Sequence, residues 1–132
     1  MPEYKNTFTK AERLCNKRII TELFNYSGNQ VINEYPFILK WQVNQTIITS
    51  FPAQIVITIS RKYSSKAINR NRIRRQIREL YRCNKNRIYE YLELSHVHIS
   101  LLLIFVGKEG LDFEFLKNRF NILIERFIKH NG

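Results

Sequence analysis

Midway along the chain the apolar period changes. Gln54 to Ser60 alternates, with Ile55, Ile57 and Ile59 on one side and Val56, Thr58 and Ser60 on the other, which is the two-residue repeat of a β-strand. One side belongs to a core and the other can meet a ligand. From about Ser65 the repeat lengthens to that of a helix and persists through Arg87 to Leu94, as one helix or as two broken around Cys83 to Asn86. Val97 to Val106, flanked by His96 and Gly107, then reads as a buried central strand. A strand, a long helix and a second buried strand in succession constrain the fold: the helix must cross one face of a sheet that holds both strands.

The flanking segments extend this core. Thr9-Lys10-Ala11-Glu12 has the form of a capping box, in which two side chains satisfy backbone N–H groups left open at a helix start. A first helix is expected over about residues 10 to 26, carrying Leu14, Ile19, Ile20, Leu23 and Phe24 and ending at Ser27-Gly28-Asn29. Tyr35 to Val43, rich in aromatic and branched residues with Pro36 near its start, is expected as the first strand. Gln45 to Phe51 is open between strand and loop, and a break follows at Pro52. After a turn over Gly107 to Gly110, Asp112 can cap a last helix whose Phe113, Leu116, Phe120, Leu123 and Phe127 form an apolar stripe facing the core. The order αββ(β)αβα implies an α+β two-layer sandwich, a small mixed sheet packed with helices, and 132 residues suit a single domain over the whole chain.

Charge narrows the function. Of a net charge of +11, ten units fall between Arg61 and Arg87, where Glu79 is the only carboxylate. Such an excess attracts polyanions and opposes self-association. A basic run is often a solvated tail, but this one is internal and interleaved with Ile73, Ile77, Leu80 and Tyr81, so it can fold against a core. At about 100° per residue, Arg74, Arg78, Asn71 and Arg75 spread from about 40° to 140° around the axis from Arg70, and Arg72 extends the face to about 200°. Tyr81, Ile77, Ile73 and Leu80 cluster on the opposite side. Ile68 falls off this seam and is expected in the first turn, packed against the preceding strand. Like charges four residues apart destabilise an isolated helix, so the face makes sense with an anionic partner. Arginine's planar fork grips phosphate at two points and stacks on bases. Because A-form RNA hides its major groove, such a face would read phosphates, 2′-hydroxyls and shape more than sequence.

Ile59 to Arg82, ISRKYSSKAINRNRIRRQIRELYR, resembles the signature of the bacterial ribonuclease P protein family: a strand ending in Ser and basic residues, a short loop, then an Arg-Asn-Arg helix start followed by Arg-Arg and Arg-Glu. Glu12 to Phe24 resembles the family's Arg-Leu start and first helix, so the likeness spans almost the whole chain. The resemblance implies a left-handed βαβ crossover, against the usual hand. It also implies a subunit that does not itself cut. A catalytic RNA with Mg²⁺, held mainly by that RNA and the substrate, cleaves precursor tRNA to free the mature 5′ end. Carried over by position, the RNA-facing set is Arg61, Lys62, Lys66, Arg70, Asn71, Arg72, Arg74, Arg75 and Arg78. A cleft between first helix and sheet would hold the 5′ leader through Phe24, Ile20 and a strand aromatic, Trp41 or Phe37. Arg61 stands where lysine is usual, and Ile20 where a second aromatic is usual.

Other readings compete. A ribosomal-protein-like RNA-binding scaffold could use the same basic surface. A recognition helix for duplex DNA usually sits in a helix pair with a short turn, whereas this helix is flanked by strands, and no DNA partner is expected. A nuclease active by itself needs clustered carboxylates for metals or a His/Lys pair. Glu109, Asp112 and Glu114 are explained by a turn and a helix start, and His96 with His98, expected on one strand face, lacks a third ligand. Cys15 and Cys83 lack metal or redox spacing and are expected as free thiols. No run approaches the roughly 18 apolar residues of a membrane span, and residues 1–10 have no apolar stretch, so no membrane partner is expected and cytoplasm is the expected location.

Overall fold

The computed structural model describes residues 8–25, 30–44, 51–62, 65–108 and 110–130. In chain order the elements are α1 (Lys17–Asn25), β1 (Val31–Glu34), β2 (Phe37–Val43), β3 (Ala53–Ile59), α2 (Ala67–Leu94), β4 (Ile99–Phe105) and α3 (Phe113–His130), preceded by one 3₁₀ turn at Lys10–Glu12. The four strands form one mixed sheet in the order β1-β2-β4-β3; β1/β2 and β2/β4 are antiparallel and β3/β4 parallel. The apolar run after α2 is the central strand, as its composition implies. β1 lies upstream of the expected first strand and joins it through a turn with a cis Tyr35–Pro36 bond. Residues 45–50 of the stretch left open between strand and loop lie outside the described residues.

Strand alternation divides the sheet into two faces. Leu39, Leu103 and Ile57 lie in one cross-strand row, and Trp41, Leu101 and Ile55 in the next. This face is covered by α2 and α3, whose Ile73, Ile77, Leu80, Tyr81, Leu116, Phe120, Leu123 and Phe127 complete the main core. α3 is fastened to the sheet edge by Glu34, whose carboxylate oxygens lie 2.7 Å from Arg119 Nη2 and 2.7 Å from Arg126 Nη1. The opposite face carries Leu102, against which Leu14, Ile19 and Leu23 pack with Ile20, Val56 and Ile104 at the margin. α1 therefore lies on the far side of the sheet from α2 and α3.

The N-terminal segment departs from the expected helix over residues 10 to 26. Its Thr9–Glu12 pairing closes only the 3₁₀ turn; the chain is extended at Arg13 (φ −91°, ψ 132°) and forms a parallel bridge to Ile55. Leu14 N–H donates to Ile55 O at 2.9 Å and Gln54 Nε2 donates to Ala11 O at 3.1 Å. This strap covers the β3 edge, which would otherwise present unpaired backbone groups. α1 then restarts with Asn16 Oδ1 accepting from Ile19 N–H at 3.2 Å, as a capping side chain does.

The strap is anchored by a buried ion pair. Glu12 is fully buried and accepts from Thr9 N–H at 3.0 Å, Lys85 Nζ at 2.7 Å and Tyr89 Oη at 2.6 Å. Burial acts most strongly on this carboxyl and favours its protonated form. The hydrogen bonds from Lys85, Tyr89 and Thr9, with the Lys85 charge, outweigh it and hold the pKa below the ordinary carboxylate value. Burial first, then the neighbouring Tyr81 and Glu12, drives the Tyr89 phenol well above its ordinary pKa, so it stays a donor. α2 is one unbroken helix, and within the polar Cys83–Asn86 stretch, where a break was one of the two alternatives, Lys85 turns inward onto Glu12. Ile68 does not pack on the preceding strand. It sits in the first turn of α2 and is 76% exposed.

Replacing Lys85 with Met leaves the Glu12 carboxylate buried without its cation, and should cost about 3–5 kcal/mol of unfolding free energy at neutral pH. Because the folded pKa of Glu12 is lowered, its stabilisation is present above the ordinary carboxylate range and lost as pH falls through the folded value. The deficit of Lys85→Met should accordingly narrow in acid. Urea titrations at neutral and acid pH measure both effects; a neutral-pH loss under about 1 kcal/mol, the scale of an exposed pair, would show that the pair does not anchor the strap.

Candidate nucleic-acid interface

The cations of α2 are sorted by its register. Ile73, Ile77, Leu80 and Tyr81 turn into the core, so the residues between them must turn out. Lys66 precedes the helix, and no carboxylate lies in the first turn, leaving the positive end of the helix dipole without an acidic partner of its own. Arg61 and Lys62, in the turn after β3, and Lys66, Asn71, Arg72 and Arg75 are exposed. Arg70 Nη1 donates to Ser65 O, which holds the loop to the helix start. Arg74 Nη1 donates to Asn71 Oδ1 at 3.1 Å. Arg82 is neutralised by Glu79, with Nε 3.0 Å from Oε2. The sequence-expected set of nine thus occupies the N-terminal half of α2 and the strand end that feeds it, while Lys85 belongs to the interior.

Electrostatic stress on this face is visible at Arg78. Its half-burial acts first, and the Arg13 and Arg74 charges add to it, lowering the pKa from the usual guanidinium value. Arginine remains charged regardless, so Arg78 sits partly buried among like charges, and an anion on this face would offset the like-charge part. Arg13, absent from the expected set, joins the face through the strap: its guanidinium lies 5.4 Å from the Phe8 ring centroid, and Phe8 packs edge-on against Tyr81 at 5.6 Å. The sequence signal for Arg13 is the Arg13-Leu14 pair of the segment that resembles the family's start, but its approach to α2 depends on the strap's path.

Beside this surface α1 overhangs an incompletely covered part of the sheet. Phe24 is 44% exposed and Ile20 half-buried. Lys40 Nζ donates to Phe24 O at 2.9 Å, tying the C-terminal end of α1 to β2. Ile38, Ile104 and Thr58 form one cross-strand row on this face and Lys40, Leu102 and Val56 the next. Thr58 Oγ1 is buried with no hydrogen-bond partner among the described residues. This side of the sheet thus offers a partly exposed apolar strip beside α1, here called the groove, with the exposed Phe24 at its margin and Arg61 and Lys62 following the end of β3.

A family model for Ribonuclease P matches residues 8–127. The chain belongs to the ribonuclease P protein family. Among curated relatives, the ribonuclease P protein component of Geotalea uraniireducens is 34% identical over 122 residues, covering 92% of this chain and 96% of that protein. That of Petrotoga mobilis is 31% identical over 120 residues, covering 91% and 94%. The solved structure of the RNase P protein from Thermotoga maritima superposes with a TM-score of 0.62 at 22% identity, covering 87% of this chain and 96% of the other. The RNase P protein of Staphylococcus aureus gives 0.60 at 19%, covering 88% and 94%. The fold of the ribonuclease P proteins is therefore shared.

Within this ribonuclease P family member, the groove contains neither of the two strand aromatics, Trp41 or Phe37, from which one was expected. Phe37 and Trp41 are 0% and 1% exposed and face α3: Phe37 meets Phe120 at 5.8 Å, and Trp41 meets Phe127 at 4.9 Å between ring centroids. Alternation decides this. The larger apolar side chains of β2 take the core side, so Ile38 and Lys40 face α1. His96 lies in a turn with φ 55° and His98 hydrogen-bonds Phe51 O at 3.2 Å, outside any strand; they do not share a strand face. Glu109 lies outside the described residues. Cys15 and Cys83 are free and exposed.

Truncation separates wall from core. Trp41→Ala should cost about 3–5 kcal/mol of stability, and Phe24→Ala about 1 kcal/mol or less. Urea titration compares them; equal losses would place Phe24 in the core and remove it from the groove.

Proposed function

We propose that this chain is the protein subunit of ribonuclease P, binding the catalytic RNA through the N-terminal half of α2 and the 5′ leader of precursor tRNA in the groove beside α1. The observation that carries this reading is the arginine face itself: Arg72 and Arg75 are exposed without an ion pair among the described residues, whereas Arg119 and Arg126 are committed to Glu34. Unpaired arginines on a rigid helix suit phosphate oxygens. The groove suits extended single-stranded nucleotides, whose bases can stack on Phe24 while basic residues follow the backbone.

The chain's role is to bind and position. Among the described residues no three His, Cys, Asp or Glu side chains come together to hold a metal ion, and the surface offered to RNA is cationic, so these residues do not fit a resident Mg²⁺. On this reading the metal is held mainly by the RNA subunit and substrate, and catalysis resides in the RNA. The protein contributes fixed positive charge that replaces condensed counterions, reducing the Mg²⁺ needed to bring two polyanions together. No helix among the described residues is long and apolar enough to cross a membrane, and the setting we propose is cytoplasmic.

Cleavage of precursor tRNA by a bacterial ribonuclease P RNA at low Mg²⁺, with and without the protein, tests this reading. The protein should restore cleavage with correct 5′ ends. Phe24→Ala should weaken its preference for precursor over mature tRNA by about tenfold or somewhat more, the scale of one lost stacking contact. Tight RNA binding without restored cleavage would instead indicate an RNA-binding scaffold of the ribosomal-protein kind.

A further inference from the structure

On the flank of α2 away from the strap lies a second cavity, of about 350 Å³, between the N-terminal half of α2, the end of β4 and the start of α3. Its rim carries Arg72 and Gln76 from α2 and Lys108 and Asp112 from the β4–α3 loop; Leu111 and Phe113 line its apolar part. Two backbone constraints shape the loop. A Cβ at Gly107 would lie 2.6 Å from the Phe105 ring and 2.7 Å from Pro36 Cβ, and Gly110 has φ +83°, a conformation that favours glycine. The chain is therefore tightly packed at Gly107, where it leaves β4, and takes a glycine conformation at Gly110.

The chemistry of the lining is mixed in a particular way. Arg72, Lys108 and Asp112 are exposed, and no ion pair among the described residues joins them, so two cations and one carboxylate are available to a ligand. A phosphate alone would be repelled by Asp112 and would leave the Leu111–Phe113 side unused. A nucleotide uses all of it: phosphate between Arg72 and Lys108, base against Phe113 and Leu111, base-edge donors toward Asp112 and Gln76. The volume falls within the range of about 300–1,000 Å³ typical of small-molecule pockets.

We propose that this cavity seats one unpaired nucleotide of an RNA bound along α2, with Asp112 selecting a base that offers adjacent N–H donors. The inference rests on the RNA-binding reading of α2, since Arg72 belongs to both surfaces and Arg75 lies between the cavity and the Arg78 side of the helix. Unpaired RNA bases are commonly stacked on aromatic side chains and read on their Watson–Crick edges. A carboxylate is acceptor-only; it matches the paired N–H donors of guanine and is opposed by the two carbonyls flanking the single donor of uracil.

The full chain, without any RNA subunit, is titrated with GMP, UMP and inorganic phosphate while backbone amide NMR signals are followed. GMP should shift residues 108, 111, 112 and 113 and bind about threefold or more tighter than UMP; Lys108→Ala, an exposed change, should weaken GMP about threefold, the scale of a solvent-exposed charge contact. Equal response to all three ligands, or shifts indifferent to Lys108→Ala, would overturn the inference. In the assembled complex, ultraviolet crosslinks mapped to residues 108–113 should join either the RNA subunit or precursor tRNA, and the crosslinked sequence identifies which. Absence of both adducts would also overturn it. GMP binding without restored precursor cleavage would count against the proposed function alone, and restored cleavage without GMP binding against the pocket alone.

Discussion

The buried pairing of Glu12 with Lys85 and Tyr89 is the interaction on which the arrangement of the molecule turns. It joins residues 73 positions apart and fixes where the N-terminal strap crosses α2. From that anchor the strap runs along β3 and delivers α1 to the opposite face of the sheet. The anchor acts together with the Leu14–Ile55 and Gln54–Ala11 hydrogen bonds, which hold the strap along the β3 edge. A buried ion pair is weak in net stabilisation but costly to break, which suits a device that sets geometry more than it adds stability.

The same pairing divides the basic tract into two functional parts. Lys85, near its end, neutralises a carboxylate in the interior, and Arg82 is balanced by Glu79 on the surface. Arg72 and Arg75 make no ion pair among the described residues, and Arg78 is partly buried with the Arg13 and Arg74 charges beside it. Elsewhere the arginines of α3 are paired with Glu34 across the sheet edge. Arg72 and Arg75 thus carry their charge on the N-terminal half of α2, between the groove on one flank and the β4–α3 cavity on the other. A polyanion lying along α2 would meet both.

Much of this layout was legible in the sequence because it follows from local periodicity. The alternation of Gln54 to Ser60, the Ile73–Ile77–Leu80–Tyr81 seam and the run that becomes β4 each report burial directly. What escaped was set by distant partners. Nothing near Thr9–Glu12 distinguishes a capping carboxylate from one that is drawn 73 residues away, so the strap read as the first turn of a helix. Nothing near Cys83–Asn86 shows that Lys85 has a buried counterion. β1 is short and only one of its residues is fully buried, so it carries little apolar pattern. Phe37 or Trp41 was expected in the groove as an aromatic of the right strand, but their shared side of that strand is fixed by pairing with β4, and the core claims both. Ile68 lies in the first turn of α2, off the buried seam, and is left largely exposed.

The most direct test of the arginine face is the salt dependence of binding between the full chain and a bacterial ribonuclease P RNA. The wild type would be compared with the triple variant Arg70→Ala, Arg72→Ala and Arg75→Ala. If these side chains meet phosphates, the triple variant should bind more weakly, and the slope of log affinity against log salt should flatten by about 2–3, close to one unit per lost contact. An unchanged slope and affinity would contradict the assignment of the N-terminal half of α2 as the RNA-binding surface.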